Sequence, residues 1–441
     1  MSIATSFPYS AQPPVEGHAV SGDTPGASPA FPEASACANT VVLVDPAACA
    51  PWLLKRAGFL KEEDASLRIL GIGSECGIAE IFTATGAVSD APPRQPLPMP
   101  NVCVRDVVRL PALLLRRPLA LRSVVGYLLR GGRFLRMLSL LQVLRQLATD
   151  HVHVLAGGES ASLAAAATEL LGISWSLSLD GQTSERLSPS LFHRWLRRCE
   201  FTVSGTENVR RHLQDRVGVS ADRIHCVPPG VDCNFYQAGT TQRTVGEVRV
   251  RLVATLEAAS DRALDTLVDV VARLNASGYS TGCRLLGVDG RVEELVEKAR
   301  RRGISGLLQI SPADDPAQLR TLLRSADLFL VLQQAHATDL PMTVLEAMSC
   351  EVPVVAAADG SFAGVLRHGV DGVLTRMDDA TALAETVARL ADDRLVRQRI
   401  GCAGRRTVLG AYSGRGTAAT LRALFSPAAP AAMAPRPEIA A

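Results

Sequence analysis

Thr338-Asp-Leu-Pro-Met-Thr-Val-Leu-Glu-Ala-Met-Ser-Cys-Glu-Val-Pro-Val-Val355 is the stretch on which the fold turns. Pro341 suits the first turn of a helix, where its missing N–H costs nothing. Met342, Val344, Leu345, Ala347 and Met348 carry that helix to about Cys350, and Val352–Ala356 then reads as a strand. A helix running at once into a β-branched strand is one step of the alternation that builds a parallel sheet. A helix that begins at the mouth of such a sheet offers free N–H groups and a positive dipole end to a phosphate. Glu346 stands in the middle of it among apolar neighbours, where a carboxylate needs a partner. The paired hydroxyls of a ribose would serve, since a carboxylate accepts two hydrogen bonds at once. A solvated glutamate on a helix edge is the plainer alternative.

The same alternation extends outward on both sides. In the first half, Val41–Asp45, Leu67–Ile72, Val152–Leu155, Trp175–Leu179, Phe201–Ser204 and Ile224–Val227 read as buried strands. Helical patterns such as Ala161–Leu171 and Pro189–Arg198 lie between them. Pro228-Pro-Gly230 breaks the chain, and a polar linker runs over 237–246. The second half repeats the pattern at Val248–Ala254, Cys283–Leu286, Leu307–Ile310, Leu328–Leu332, Val352–Ala356 and Gly372–Thr375. These features predict an α/β chain with one Rossmann-like domain over 39–236 and a second over 247–425. Two such halves face a central cleft, and open α/β sheets bind ligands outside the carboxyl ends of their strands. Residues 1–38 and 426–441, rich in Pro and Ala without periodicity, read as a disordered arm and tail.

Composition narrows the function classes. The 441 residues are 47% hydrophobic and carry a net charge of +2, which gives no overall pull toward nucleic acid. Ten cysteines are scattered without a Cys-x-x-Cys pair, which disfavours a zinc ribbon or a dithiol redox site and suits a reducing compartment. Neither a basic-then-apolar leader nor an apolar run of about 18 residues is present, so a cytoplasmic chain is expected. Residues 105–145 stand apart. Nine arginines and one acid, Asp106, accompany apolar residues at helical spacing: Leu128, Phe134, Leu138 and Leu141 on one side, Leu140, Leu144 and Leu147 close by. A basic amphipathic helix can lie on an anionic membrane surface, making such a surface a candidate partner at the inner face of the cytoplasmic membrane. A helix covering the first domain, its arginines solvated, is the alternative. Aromatic stacking residues are too scarce there for single-stranded nucleic acid.

Several motifs in order resemble the retaining glycosyltransferases of family 4, which have the GT-B fold. Glu346 falls on the later acid of that family's Glu-x7-Glu pair, the one that binds the donor ribose. The earlier acid falls on Thr338, with Asp339 beside it, either substituting from a shifted loop or capping the helix. Pro228-Pro-Gly-Val-Asp232 with Phe235 resembles the turn between the domains, and Gly287-Val-Asp-Gly290 the glycine loop near the donor nucleotide. Ala326-Asp-Leu-Phe-Leu330, Pro353-Val-Val355, Arg367-His-Gly369 and Asp371-Gly372 match further positions. The arginine-rich stretch and His151-Val-His153 resemble the colanic-acid and exopolysaccharide subgroup.

The resemblance implies transfer of a sugar from a UDP- or GDP-sugar to a growing surface polysaccharide or lipid-linked acceptor, with retained anomeric configuration and without a metal or other cofactor. It assigns donor binding to Glu346, Arg262, Gly287, Gly290, Pro341, Met342, Thr343 and Gly230, and catalytic places to Asp180 and Asp339. The departures are equally plain. Thr255 stands where the family has an arginine for the diphosphate, and Arg262 is the stand-in for its lysine. Asp180 holds the place of the acceptor-side histidine. The turn after the first strand, Asp45-Pro-Ala-Ala-Cys49, lacks glycine, and Ala363-Gly364 replaces a Pro-Glu dipeptide. These losses support the alternative of a catalytically impaired homologue acting as a structural or regulatory partner in polysaccharide assembly. His151 and His153 share one face of a regular strand, and Glu159 reads as a helix-start carboxylate or as a contact to an acceptor hydroxyl.

Overall fold

The computed structural model of the chain describes residues 39–45, 51–73, 77–80, 132–155, 157–186, 188, 190, 193, 195, 199–239, 250–255, 260–287, 291–311, 315–332, 341–358, 362 and 364–425. The expected arm, tail and most of the linker and of the arginine-rich stretch lie outside these residues, as do Asp339 and Gly290.

The first sheet is built from β1 (Thr40–Val44), β2 (Arg68–Gly73), β3 (Gly77–Glu80), β4 (His151–Leu155), β5 (Ser174–Leu179), β6 (Thr202–Ser204) and β7 (Ile224–Cys226). Its helices are α1 (Pro51–Glu63), α2 (Gly132–Gln146), α3 (Glu159–Leu171), α4 (Gly181–Arg186) and α5 (Glu207–Val217). The spatial order is β3-β2-β1-β4-β5-β6-β7, parallel except for the β2–β3 pair. The second sheet uses β8 (Val250–Thr255), β9 (Thr281–Leu286), β10 (Leu308–Ser311), β11 (Leu328–Leu330), β12 (Val354–Ala357) and β13 (Val373–Thr375). Around it lie α6 (Asp261–Ala276), α7 (Val292–Arg301), α8 (Pro316–Ser325), α9 (Met342–Ser349), α10 (Ala380–Asp392), α11 (Arg394–Ala411) and α12 (Gly414–Leu424). Its order is β10-β9-β8-β11-β12-β13, parallel throughout. Each sheet therefore reverses direction beside its first strand, between β1 and β4 and between β8 and β11, where crevices for ligands form.

Local chemistry explains the helices. In α6, Leu264, Leu267, Val268, Val271 and Leu274 recur at helical spacing and are all buried, and Ser260 caps the start by accepting the Ala263 N–H at 3.1 Å. Asp379 and Asp393 cap α10 and α11 in the same way. In α2, Met137, Leu138, Leu140, Leu141, Val143 and Leu144 are buried in the core of the first sheet. For this part of the arginine-rich stretch the covering-helix alternative holds: the apolar face is inside the protein, and a membrane cannot reach it.

Near its end the chain crosses back. The helix α12, expected as the close of the second domain, packs on α1, and Ala418, Leu421 and Phe425 join Val42, Trp52, Leu53 and Leu60 in one core. The crossing is tight. A Cβ on Gly230 would sit 2.6 Å from the Gly414 Cα and 2.4 Å from the Thr417 hydroxyl, and one on Gly414 would meet the Phe59 ring at 2.4 Å. Interiors this close-packed do not absorb an added methyl without shifting. Gly414→Ala should therefore lose about 1–3 kcal/mol of stability by overpacking. Gly410→Ala, an exposed helical position with open space around the added carbon, should gain up to about 1 kcal/mol. Urea unfolding of the two variants checks the pair, and equal midpoints would contradict the close approach.

Candidate functional site

Both switch-point crevices contribute a helix to one spot. The helix α1 follows β1 and carries Lys55; α9 follows β11 and carries Glu346. Around Glu346, Val344, Leu345, Ala347 and Met348 are wholly buried, and Glu346 itself is 2% exposed. Its Oε1 accepts a hydrogen bond from the Lys55 ammonium at 2.9 Å, across 291 positions of sequence. The Lys55 side chain is 41% exposed, so the pair lies at the rim, with the carboxylate inside. Burial of a charge demands such a partner. The ammonium also stands over the Tyr236 ring, 5.9 Å from its centre.

Tyr236 is the third member. Its backbone oxygen accepts the Ser349 hydroxyl at 2.6 Å and an Arg405 N–H at 3.1 Å, which ties the interdomain turn to the end of α9. Its hydroxyl is buried beside Glu346 yet reaches no partner at normal hydrogen-bond geometry. Burial first, and then the Glu346 charge, push its pKa up from 10.0. On the other side, Arg56 fixes α1: its guanidinium donates to the Val227 carbonyl at 2.6 Å and to the Pro228 carbonyl at 3.0 Å, and stacks 4.7 Å from the Trp52 ring.

Of the residues the sequence singled out, Pro341, Met342 and Thr343 stand with Glu346. Pro341 is the residue just before α9, one place earlier than a first-turn proline, and no side chain caps the helix start. Met342 packs against the cores of both sheets. Arg262 lies at the start of α6, is 74% exposed and pairs with Asp378 at 3.4 Å. Gly287 ends β9 with a φ of 114°, its N–H donating to the Ser311 carbonyl at 2.9 Å. Gly230 serves the close crossing of α12. Thr255, in the arginine's place, is buried at the end of β8. Asp180 is buried at the end of β5 and starts α4, with Oδ1 accepting the Thr183 N–H at 2.5 Å. Asp371 is buried too, and accepts from Arg367 at 2.8 and 2.9 Å and from the Thr407 hydroxyl at 2.8 Å; it holds a turn. Glu159 pairs with Arg136 at 3.2 Å.

The two histidines of β4 form a buried ladder with β5. The order is Ser174, His151, Ser176, His153, Ser178, with links of 2.7, 2.7, 2.7 and 2.9 Å. A neutral imidazole donates one N–H and accepts one O–H, so one direction of donation satisfies the whole row. Phe201 and Phe425 pack on the rings. Burial lowers His151 to about 4, and lowers His153 through burial first and then the nearby His151 and Arg56.

Two family models match the chain: "Glycosyl transferases group 1" over residues 253–407 and "Glycosyltransferase Family 4" over 89–235. The chain belongs to the family-4-like glycosyltransferases of GT-B fold. It is similar to the D-inositol 3-phosphate glycosyltransferases of Nocardia farcinica, 29% identical over 45% of this chain and 46% of the relative. The one from Geodermatophilus obscurus is 30% identical over 52% of each. The chain thus spans about half the length of the curated relatives it matches. Among solved structures, Anabaena Alr3699/HepE in complex with UDP superposes with a TM-score of 0.63 at 15% identity, covering 88% of this chain and 99% of that one. Sucrose-phosphate synthase from Thermosynechococcus elongatus gives 0.62 at 14%, covering 88% and 98%. At those identities the likeness is one of fold.

The ladder fixes a pH response. Above the ordinary value of 6.5, His151 is neutral both folded and unfolded, and stability is flat. Below it the unfolded chain takes up protons that the folded chain refuses. Stability therefore falls by about 1.4 kcal/mol per pH unit for each histidine. For His151 the decline levels off near the folded value of about 4. Urea midpoints measured between about pH 7 and about pH 5 should fall less for His153→Gln than for the wild type; parallel falls would contradict a neutral, buried His153.

Proposed function

We infer that the protein transfers a sugar from a nucleotide-sugar, with a UDP-sugar the favoured donor and a GDP-sugar the alternative, to a polysaccharide or lipid-linked acceptor, with retention of anomeric configuration. The observation that carries this reading is the buried Glu346 carboxylate at the meeting of the two crevices. The ribose 2′ and 3′ hydroxyls would donate to its two oxygens, as the family resemblance assigns. The diphosphate hanging from the same ribose would meet the uncapped start of α9 at Met342 and Thr343, where N–H groups and the helix dipole favour negative charge. Taking up that charge as the glycosidic bond breaks is the main electrostatic task, because the diphosphate is the leaving group. Arg262, the stand-in for the family's lysine, is the proposed further cation, and it would have to leave Asp378 to reach the diphosphate. Asp180, in the place of the acceptor-side histidine, and Asp339, beside the place of the earlier acid, are the proposed catalytic carboxylates. The UDP-bound Anabaena neighbour supports the choice of uridine.

A second reading, a structural or regulatory partner in polysaccharide assembly, draws on Thr255 and on an Asp180 already engaged in capping. Nucleotide binding separates the two. UDP should raise the melting temperature of the wild type, because a ligand of the folded state stabilises it. Glu346→Gln should weaken UDP about tenfold by removing one charge-assisted contact, worth about 1.5 kcal/mol. Absence of any shift with UDP or GDP at millimolar concentration would leave the non-catalytic reading in place.

A further inference from the structure

We propose that Lys55, from the opposite domain, is a donor-binding residue: the diphosphate draws its ammonium off Glu346, and the exchange frees that carboxylate for the ribose. The inference rests on the donor reading given above and adds the cation that completes it.

The diphosphate calls for positive charge, and among the described residues the two positions where the family resemblance places cations in the second domain do not present it toward Glu346. Thr255 replaces one cation, and Arg262 is turned to Asp378. The ammonium that does stand at the carboxylate is Lys55, 2.9 Å away. It comes from the helix that follows β1, beside the switch point of the first sheet, and its 41% exposure places it on the open side of a buried acid. The ammonium end of the pair faces water, so it can leave the buried carboxylate when other hydrogen-bond donors take its place there. A lysine stem is flexible, and a compact ammonium is well suited to phosphate oxygens. A diphosphate carries more negative charge than one carboxylate, so the ammonium prefers it. The 5′-phosphate lies on the same ribose whose hydroxyls would replace the ammonium on Glu346, so a short swing of the stem makes both contacts at once.

A separate observation points to a ligand at this spot. The Tyr236 hydroxyl is buried against Glu346 but does not meet it at normal hydrogen-bond geometry, and buried hydroxyls are normally well paired. A sugar hydroxyl laid on Glu346 is within its reach and would satisfy it. Lys55, Tyr236 and Glu346 would then read phosphate and pentose together, with residues from both domains, so that binding holds the two halves closed.

Calorimetric titration with uridine and with UDP at low salt tests the exchange on three proteins: wild type, Lys55→Met and Lys55→Arg. Lys55→Met should bind UDP about tenfold more weakly, while uridine binds as well as to the wild type or better, because the carboxylate is already free. Lys55→Arg should recover most of the UDP affinity. UDP binding to Lys55→Met that equals or exceeds the wild type would overturn the proposal, leaving Lys55 a latch on an empty carboxylate. Wild-type protein that binds neither compound would remove the donor reading itself, and the proposal with it.

Discussion

A carboxylate sunk in an apolar helix must be matched, and here the match comes from the other sheet. Glu346 could have been satisfied by a local arginine or by helix-end N–H groups. Instead it meets an ammonium whose helix grows from the first strand of the first domain. That one contact requires the two crevices to face each other at hydrogen-bonding distance. Much of the surrounding structure serves to hold them there. Arg56 binds α1 to the carbonyls of the interdomain turn, Tyr236 binds the same turn to the end of α9, and Met342 packs on both cores.

The crossing of α12 over α1 belongs to the same device. Gly230 and Gly414 let two backbone segments approach more closely than any side chain would allow. The chain that has just completed the second sheet returns to finish the core of the first. The domains are thus joined at two places, the turn near Pro228 and the segment before Ser413, where Val231 and Ser413 pair. Such a double connection suits halves that open and close about a hinge rather than drift apart.

Much of this was legible in the sequence. The strands of both sheets stand close to where their β-branched runs place them, because parallel strands buried on both faces leave little room for polar residues. The antiparallel Gly77–Glu80 was not legible, being four residues with a glycine and no alternation. Nor was α1, whose Pro and Ala-rich approach reads as loop. Glu346 was found through its family motif and its apolar neighbours. Lys55 and Tyr236 were not, since nothing local marks a lysine as the partner of an acid 291 positions away. At Gly230 the motif was legible, but the close crossing of α12 that requires a glycine there was not, since its partners Gly414 and Thr417 lie far along the chain. His151 and His153 displayed the right period, yet the serines that complete their ladder sit on another strand, and only the sheet register joins them.

The most direct test of the central claim is a crystal structure of the wild-type protein with UDP. The account predicts the ribose 2′ and 3′ hydroxyls on the Glu346 carboxylate, with the uncapped start of α9 facing the diphosphate. A nucleotide bound elsewhere, with the Lys55–Glu346 pair intact, would contradict it.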